Sequence, residues 1–218
     1  MVDSVRLSSS ISAEVWADNA DLARAALDHA FVRRLADGTL QRELFQGYVL
    51  QDAYFLEAFA RAYALALARS PDRDGVRDFY DLLSGALQEL QLHARYAAEW
   101  EVSADSSELT AATLAYTDFL MSTAALGNIG EVCAAMTPCM RLYAFLGQSL
   151  EALGAASDAN PYSEWVKTYA APEFEALAAK LEMLLDRYTV DAERARRVYR
   201  RAMMLEVAFF DAALRTDA

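Results

Sequence analysis

The stretch "LQRELFQGYVLQDAYFLEAFARAYALALARS", residues 40–70, decides the fold class. It holds no proline and a single glycine, Gly47. Large apolar side chains recur three and four residues apart, at Tyr48, Phe55, Leu56 and Phe59. That period belongs to an amphipathic α-helix, which the spacing predicts over about 40–69. The polar residue on this stripe is Asp52, with Tyr48 four residues before it and Phe55, Leu56 and Phe59 three, four and seven after. A buried carboxylate is costly without a partner, so Asp52 needs a hydrogen-bonding group or a cavity.

The rest of the chain reads the same way. "SAEVWADNADLARAALDHAFVRRLADG" predicts one or two short helices ending at Gly38. "SPDRDG" is a turn with Ser70 or Asp72 as the helix cap, and a helix follows over about 74–101. Further helices are expected over about 106–126, ending at Gly127, and over 128–153. After the loop "GAASDANPYS", Pro161 is placed to start a helix over 161–187, with an interruption at "YAAPEF" as the alternative. The last runs over about 190–215. No strand is predicted. The expectation is an all-α bundle of seven or eight helices in one domain, 1–218, with residues 1–12 as a polar tail.

Composition agrees with this. Of 218 residues, 55% are hydrophobic and mean hydropathy is +0.06, while Gly and Pro number only 8 and 4. The net charge of −12 repels phosphate backbones and anionic lipid, so neither nucleic acid nor a membrane is expected as a partner. No apolar run is long enough to span a bilayer, and the N-terminus lacks a basic segment followed by an apolar one. Cys133 and Cys139, six residues apart, would lie about 9 Å apart along a helix, too far for a disulfide. Two free thiols suit a reducing compartment, and a cytoplasmic location is expected.

Two more polar groups sit on apolar stripes. Glu206 has Tyr199, Ala202, Met203, Phe209 and Phe210 at helical offsets. Cys139 has Val132, Ala135, Met136, Leu142, Tyr143 and Leu146. Each has a plain structural alternative: a core hydrogen bond for Asp52, an arginine partner for Glu206, a small core hydrophobe for Cys139. Together they point to a cavity holding a thiol, two carboxylates and several tyrosines, a set suited to nucleophilic and general acid–base chemistry. Pro138, inside the helix and next to Cys139, removes a backbone donor and predicts a kink beside the thiol. Glu89 and His93 share a helical face and are expected to form a structural pair, since one Glu and one His make a thin metal site. His29, near a helix end, is expected to be structural too. No Glu-x-x-His motif of the di-iron type is present.

The segments "HAFVRRLADGTL", "FQGYVLQDAYFLEAFA", "ELQLHARY", "LAYTDFL", "GNIGEVCAAMTPCMRLYAFLG", "YSEWVKTYAAPEF" and "MLEVAFFDAA" stand in this order over about residues 13–214. In these the chain resembles the TenA family, also called thiaminase II or aminopyrimidine aminohydrolase. The resemblance implies a haem-oxygenase-like fold, a homo-oligomer (tetramer or dimer), and no metal or organic cofactor. It implies hydrolysis at the methylene of a 4-amino-2-methylpyrimidine, carried by thiamin or by 4-amino-5-aminomethyl-2-methylpyrimidine. The product is the hydroxymethylpyrimidine used in thiamin salvage.

Carried over residue by residue, Cys139 matches the family nucleophile. Asp52 matches the carboxylate that holds the ring nitrogen and 4-amino group, and Glu206 matches the proton-exchanging acid. Tyr143, Tyr116 and Tyr169 match pocket tyrosines, and Phe209 an aromatic wall. One position departs: many members carry a tyrosine three residues after the aspartate, where this chain has Phe55. A catalytically weak pyrimidine-binding or regulatory protein on the same fold is the alternative that Phe55 keeps open. Arg141, two residues after the cysteine, is expected to point away from the pocket and to serve a subunit contact.

Overall fold

A computed structural model describes residues 10–99 and 109–215, the side chains of 92–99 excepted. Among the described residues there are ten α-helices and no strand. Three short ones come first: α1 (Ile11–Asp18), α2 (Ala20–Leu27) and α3 (Ala30–Ala36). The long α4 (Arg42–Arg69) and α5 (Arg73–Glu99) pack along each other. Next come α6 (Ala111–Leu126), α7 (Ile129–Ala152), α8 (Ser163–Ala170), α9 (Pro172–Tyr188) and α10 (Ala192–Ala213). α7 packs against α8, α9 and α10, and α6 closes the bundle on the side of α4.

The count exceeds seven or eight because three breaks carry weak punctuation. At Asn19 the side chain turns back to donate to the Val15 carbonyl (2.7 Å), ending α1. His29 starts α3, its ring accepting from the Phe31 N–H (3.2 Å) while Nε2 meets Asp211 (3.1 Å), a structural role as expected. The third break is at Ala171, where Pro172 holds its neighbour extended and takes the first position of α9. Pro161 does not start a helix: α8 begins at Ser163. α6 begins at Ala111, later than expected, with Thr110 as its cap accepting from Thr113 N–H (3.1 Å). Asp72, one of the two expected caps, accepts from Gly75 N–H (2.7 Å) at the start of α5.

Ile11 and Ser12, counted with the polar tail in the sequence, belong to α1, and residues 1–9 lie outside the described residues. Ser12 is buried and gives its N–H and hydroxyl to Asp186 (2.8 and 2.9 Å), tying α1 to α9. No helix among the described residues is long and apolar enough to cross a membrane.

α7 is the axis of the fold, and every residue from Gly130 to Met140 is buried. Full burial of a large apolar side chain contributes about 1.5–3 kcal/mol, so an axis without a wet face gathers much of the fold's stabilisation. α7 continues through Pro138 as one helix, although the proline leaves the Ala134 carbonyl without its usual donor. Beyond Pro138, Arg141 turns outward to α9. It grips Glu182 through Nε and Nη2 (both 2.7 Å) and Glu175 through Nη1 (2.9 Å). Arg141 thus clamps α7 to α9 within the chain.

Candidate active site

Three helices deliver the three polar groups to one place. α4 brings Asp52 (4% exposed), α7 brings Cys139 (8%) and α10 brings Glu206 (2%). Burial pushes the Glu206 carboxyl up to about 8; the Tyr116 hydrogen bond opposes this, the Asp52 charge adds to it, and the Cys139 thiol opposes it. Glu206 is therefore mostly a neutral acid at pH 7. The Tyr116 hydroxyl donates to its Oε1 across 2.6 Å. Cys139 is raised well above the ordinary thiol range, by burial first and then by the charges of Glu206, Glu89 and Asp52. At rest it is a thiol rather than a thiolate. Cys133, also free, is raised by burial, against a backbone hydrogen bond that lowers it.

Aromatic rings wall the cluster. Phe55 packs on Tyr116 (ring centroids 4.6 Å apart) and on Phe209 (6.1 Å), and Phe209 meets Tyr48 edge-on (5.9 Å). Tyr143 lies 4.8 Å from Tyr169, edge to face. A chain of hydrogen bonds holds these rings: Trp165 Nε1 donates to the Tyr48 hydroxyl (3.3 Å), which pairs with the Tyr143 hydroxyl (3.1 Å). Each of these tyrosines is too buried to ionise near neutrality. Flat walls of this kind suit a flat heterocycle.

Tyr54 is 40% exposed, so it supplies no hydroxyl in place of the one Phe55 lacks. Glu89 also has a partner across the bundle. Its Oε1 accepts from the Tyr169 hydroxyl (2.6 Å), and its charge acts on Cys139. The side chain of His93, its expected partner, lies outside the described residues. Glu89 stands seven residues after Leu82 and three after Ala86, both buried, so the stripe rule that found Asp52 applies to it as well. Tyr48 and Trp165 carried no comparable signal, because buried aromatics are ordinary core residues.

A sequence model described as the TENA/THI-4/PQQC family matches residues 16–216. The chain belongs to that family. Among family relatives, the chain is 36% identical over 205 residues to the bifunctional TH2 protein, mitochondrial, of Arabidopsis thaliana. That match covers 82% of this chain but only 33% of that longer protein. The chain is 34% identical over 181 residues to the aminopyrimidine aminohydrolase of Halalkalibacterium halodurans, with 81% of each covered. The TenA homologue from P. horikoshii OT3 has a TM-score of 0.86 at 28% identity, covering 94% of this chain and 98% of the other. A haem oxygenase of the cyanobacterium Synechocystis shares the fold at a TM-score of 0.62 and 16% identity. The architecture of this TENA/THI-4/PQQC member is thus haem-oxygenase-like.

Proposed function

We propose that this chain is an aminopyrimidine hydrolase of thiamin salvage. It replaces the group on the methylene of a 4-amino-2-methylpyrimidine with hydroxyl, giving hydroxymethylpyrimidine. The observation that carries this reading is the meeting of the Cys139 thiol, the neutral Glu206 carboxyl and Asp52 within one buried, aromatic-walled cluster. The names of the relatives support the same chemistry.

In this reading Asp52 holds the ring nitrogen and 4-amino group and favours the electrophilic tautomer. The Cys139 sulfur adds to a ring carbon while the thiol proton passes to a ring nitrogen. The ring electrons then expel the leaving group from the methylene, and Glu206 gives that group its proton. Water adds to the exposed methylene carbon, its surplus proton restores Glu206, and the sulfur–carbon bond breaks to return the thiol. One C–N bond is exchanged for one C–O bond, with no net redox change. Tyr116, Tyr143, Tyr169, Phe55 and Phe209 enclose the ring. The resemblance supports a homo-oligomer, and two free thiols suit the cytoplasm.

Turnover of 4-amino-5-aminomethyl-2-methylpyrimidine, followed by product mass, tests the proposal. Cys139→Ala should abolish it; unchanged turnover in that variant would sink the nucleophile. Phe55 favours one further reading, a pyrimidine-binding protein without turnover. Thermal stabilisation by hydroxymethylpyrimidine with no hydrolysis would select it.

A further inference from the structure

The stretch "RARRVYRR", residues 194–201, carries five arginines in a chain whose net charge is −12. Four of them, Arg196, Arg197, Arg200 and Arg201, line one groove of about 380 Å³ between α1 and α10. The only carboxyl groups in that lining, among the described residues, are those of Asp18 and Glu193.

The four arginines play two parts. Arg196 gives Nη1 to Asp18 (2.6 Å) and Nη2 to Glu14. Arg200 grips both carboxylate oxygens of Asp21 (2.6 and 2.8 Å), and its Nη1 also reaches Asn19 Oδ1 (3.2 Å). These bonds staple α10 to α1 and α2 and fix two guanidinium planes. Arg197 and Arg201 are exposed and make no hydrogen bond or ion pair among the described residues. They stand four residues apart, so two like charges face each other one turn along α10, an arrangement that destabilises a helix. The lining carboxylates do not relieve it. Asp18 is engaged by Arg196, and Glu193 comes within 4.0 Å of that same arginine.

An arginine fork offers two coplanar N–H groups to two oxygens of one phosphoryl group. Two forks about 6 Å apart along the axis can each take one phosphoryl group of a diphosphate. Met204 is 49% exposed on the same groove and offers its thioether to the body that carries the phosphates. Nucleic acid or an anionic membrane would meet the rest of an acidic surface and be repelled, whereas a small anion meets only the groove. Arg197 stands nine residues before Glu206, about two and a half helical turns, and so projects from the opposite side of α10. The groove therefore lies outside the catalytic cluster. We propose that it binds a small organic diphosphate, with Arg197 and Arg201 as the recognition groups and Arg196 and Arg200 as a fixed wall. The hydrolase reading above is not needed for this site.

Calorimetry on the full chain with inorganic diphosphate and with uridine diphosphate tests it. Both should bind wild type, and the double variant Arg197→Gln/Arg201→Gln should bind each at least about tenfold more weakly. Arg33→Gln removes an exposed arginine of α3 that does not line the groove, and should stay within about twofold of wild type. Succinate, a dicarboxylate, should bind at least about tenfold more weakly than diphosphate. Saturating hydroxymethylpyrimidine should leave diphosphate binding unchanged. Binding that survives the double variant, equal affinity for succinate, or displacement by hydroxymethylpyrimidine would overturn the proposal. So would a wild-type chain that binds no diphosphate; a change of oligomer mass in the double variant, read by light scattering, would then make the groove a contact between copies. The double variant removes a repulsion from an exposed face, so its melting temperature should not fall. Should it fail to fold, Arg201→Gln alone carries the comparison, with a loss of about threefold.

Discussion

The Tyr116 hydroxyl donates to Glu206 Oε1 across 2.6 Å, from α6 to α10, with both groups buried. This bond opposes the upward push that burial exerts on the carboxyl. It favours the ionised form and so sets where the acid titrates.

Tyr116→Phe removes that donor and should move the titration of Glu206 above 8. Activity that needs the protonated acid falls as pH rises through the wild-type value of about 8. In Tyr116→Phe the falling limb of kcat/KM should shift upward by about one unit, the scale of a charge-assisted hydrogen bond. In Glu206→Gln that limb should vanish along with most of the activity. A limb unmoved by Tyr116→Phe would show that another group titrates.

Stability should follow the same carboxyl. The folded-state value, raised from 4.5 to about 8, means the folded chain binds more protons than the unfolded chain between those limits. Stability attributable to this group therefore falls as pH rises from about 4.5 to about 8 and is flat outside that window. Urea midpoints across the range, compared with Glu206→Gln, should show a shallower pH slope in the variant.

Asp52→Asn keeps the shape and removes the charge that acts on Cys139 and Glu206. KM for the aminomethylpyrimidine should rise at least about tenfold. The thermal shift given by hydroxymethylpyrimidine should disappear. A variant that still binds the product normally would remove Asp52 from pyrimidine recognition.

Phe55 sits with its ring centroid 4.6 Å from that of Tyr116 and is 4% exposed. Phe55→Tyr adds a hydroxyl next to the Tyr116–Glu206 pair. A donor there would ease departure of the thiol proton, so kcat should rise about threefold to tenfold. A drop in kcat with a lowered melting temperature would mean that the added oxygen is only overpacked.

Gly147 of α7 lies directly under α8. A Cβ built there would come within 2.4 Å of the Tyr169 carbonyl carbon and 2.5 Å of the Ala170 nitrogen. Both are backbone atoms, so α8 itself must move. Gly147→Ala should cost about 1–3 kcal/mol in chemical denaturation and raise KM by displacing Tyr169.

Much of this site was legible because a polar group on an apolar stripe breaks a strong period. Asp52, Cys139 and Glu206 each did so on a long helix. Glu89 broke the period of α5 in the same way, and its bond to Tyr169 crosses the bundle. That pairing depends on how α5 and α8 pack, which no local pattern encodes. The short helices α1 to α3 and the break at Ala171 were blurred for a related reason. Their ends rest on single side chains, Asn19 and His29, and on the backbone preference imposed by Pro172, rather than on glycine-rich loops.

The enclosure of α7 from Gly130 to Met140 also makes Cys133 a reporter of opening. This thiol is wholly enclosed and six residues before Cys139. An alkylating reagent can reach it only when neighbouring helices part, so its labelling rate under native conditions measures how often the axis is uncovered. A pyrimidine that bridges α4, α7 and α10 would hold those helices together and slow the labelling in proportion to its occupancy.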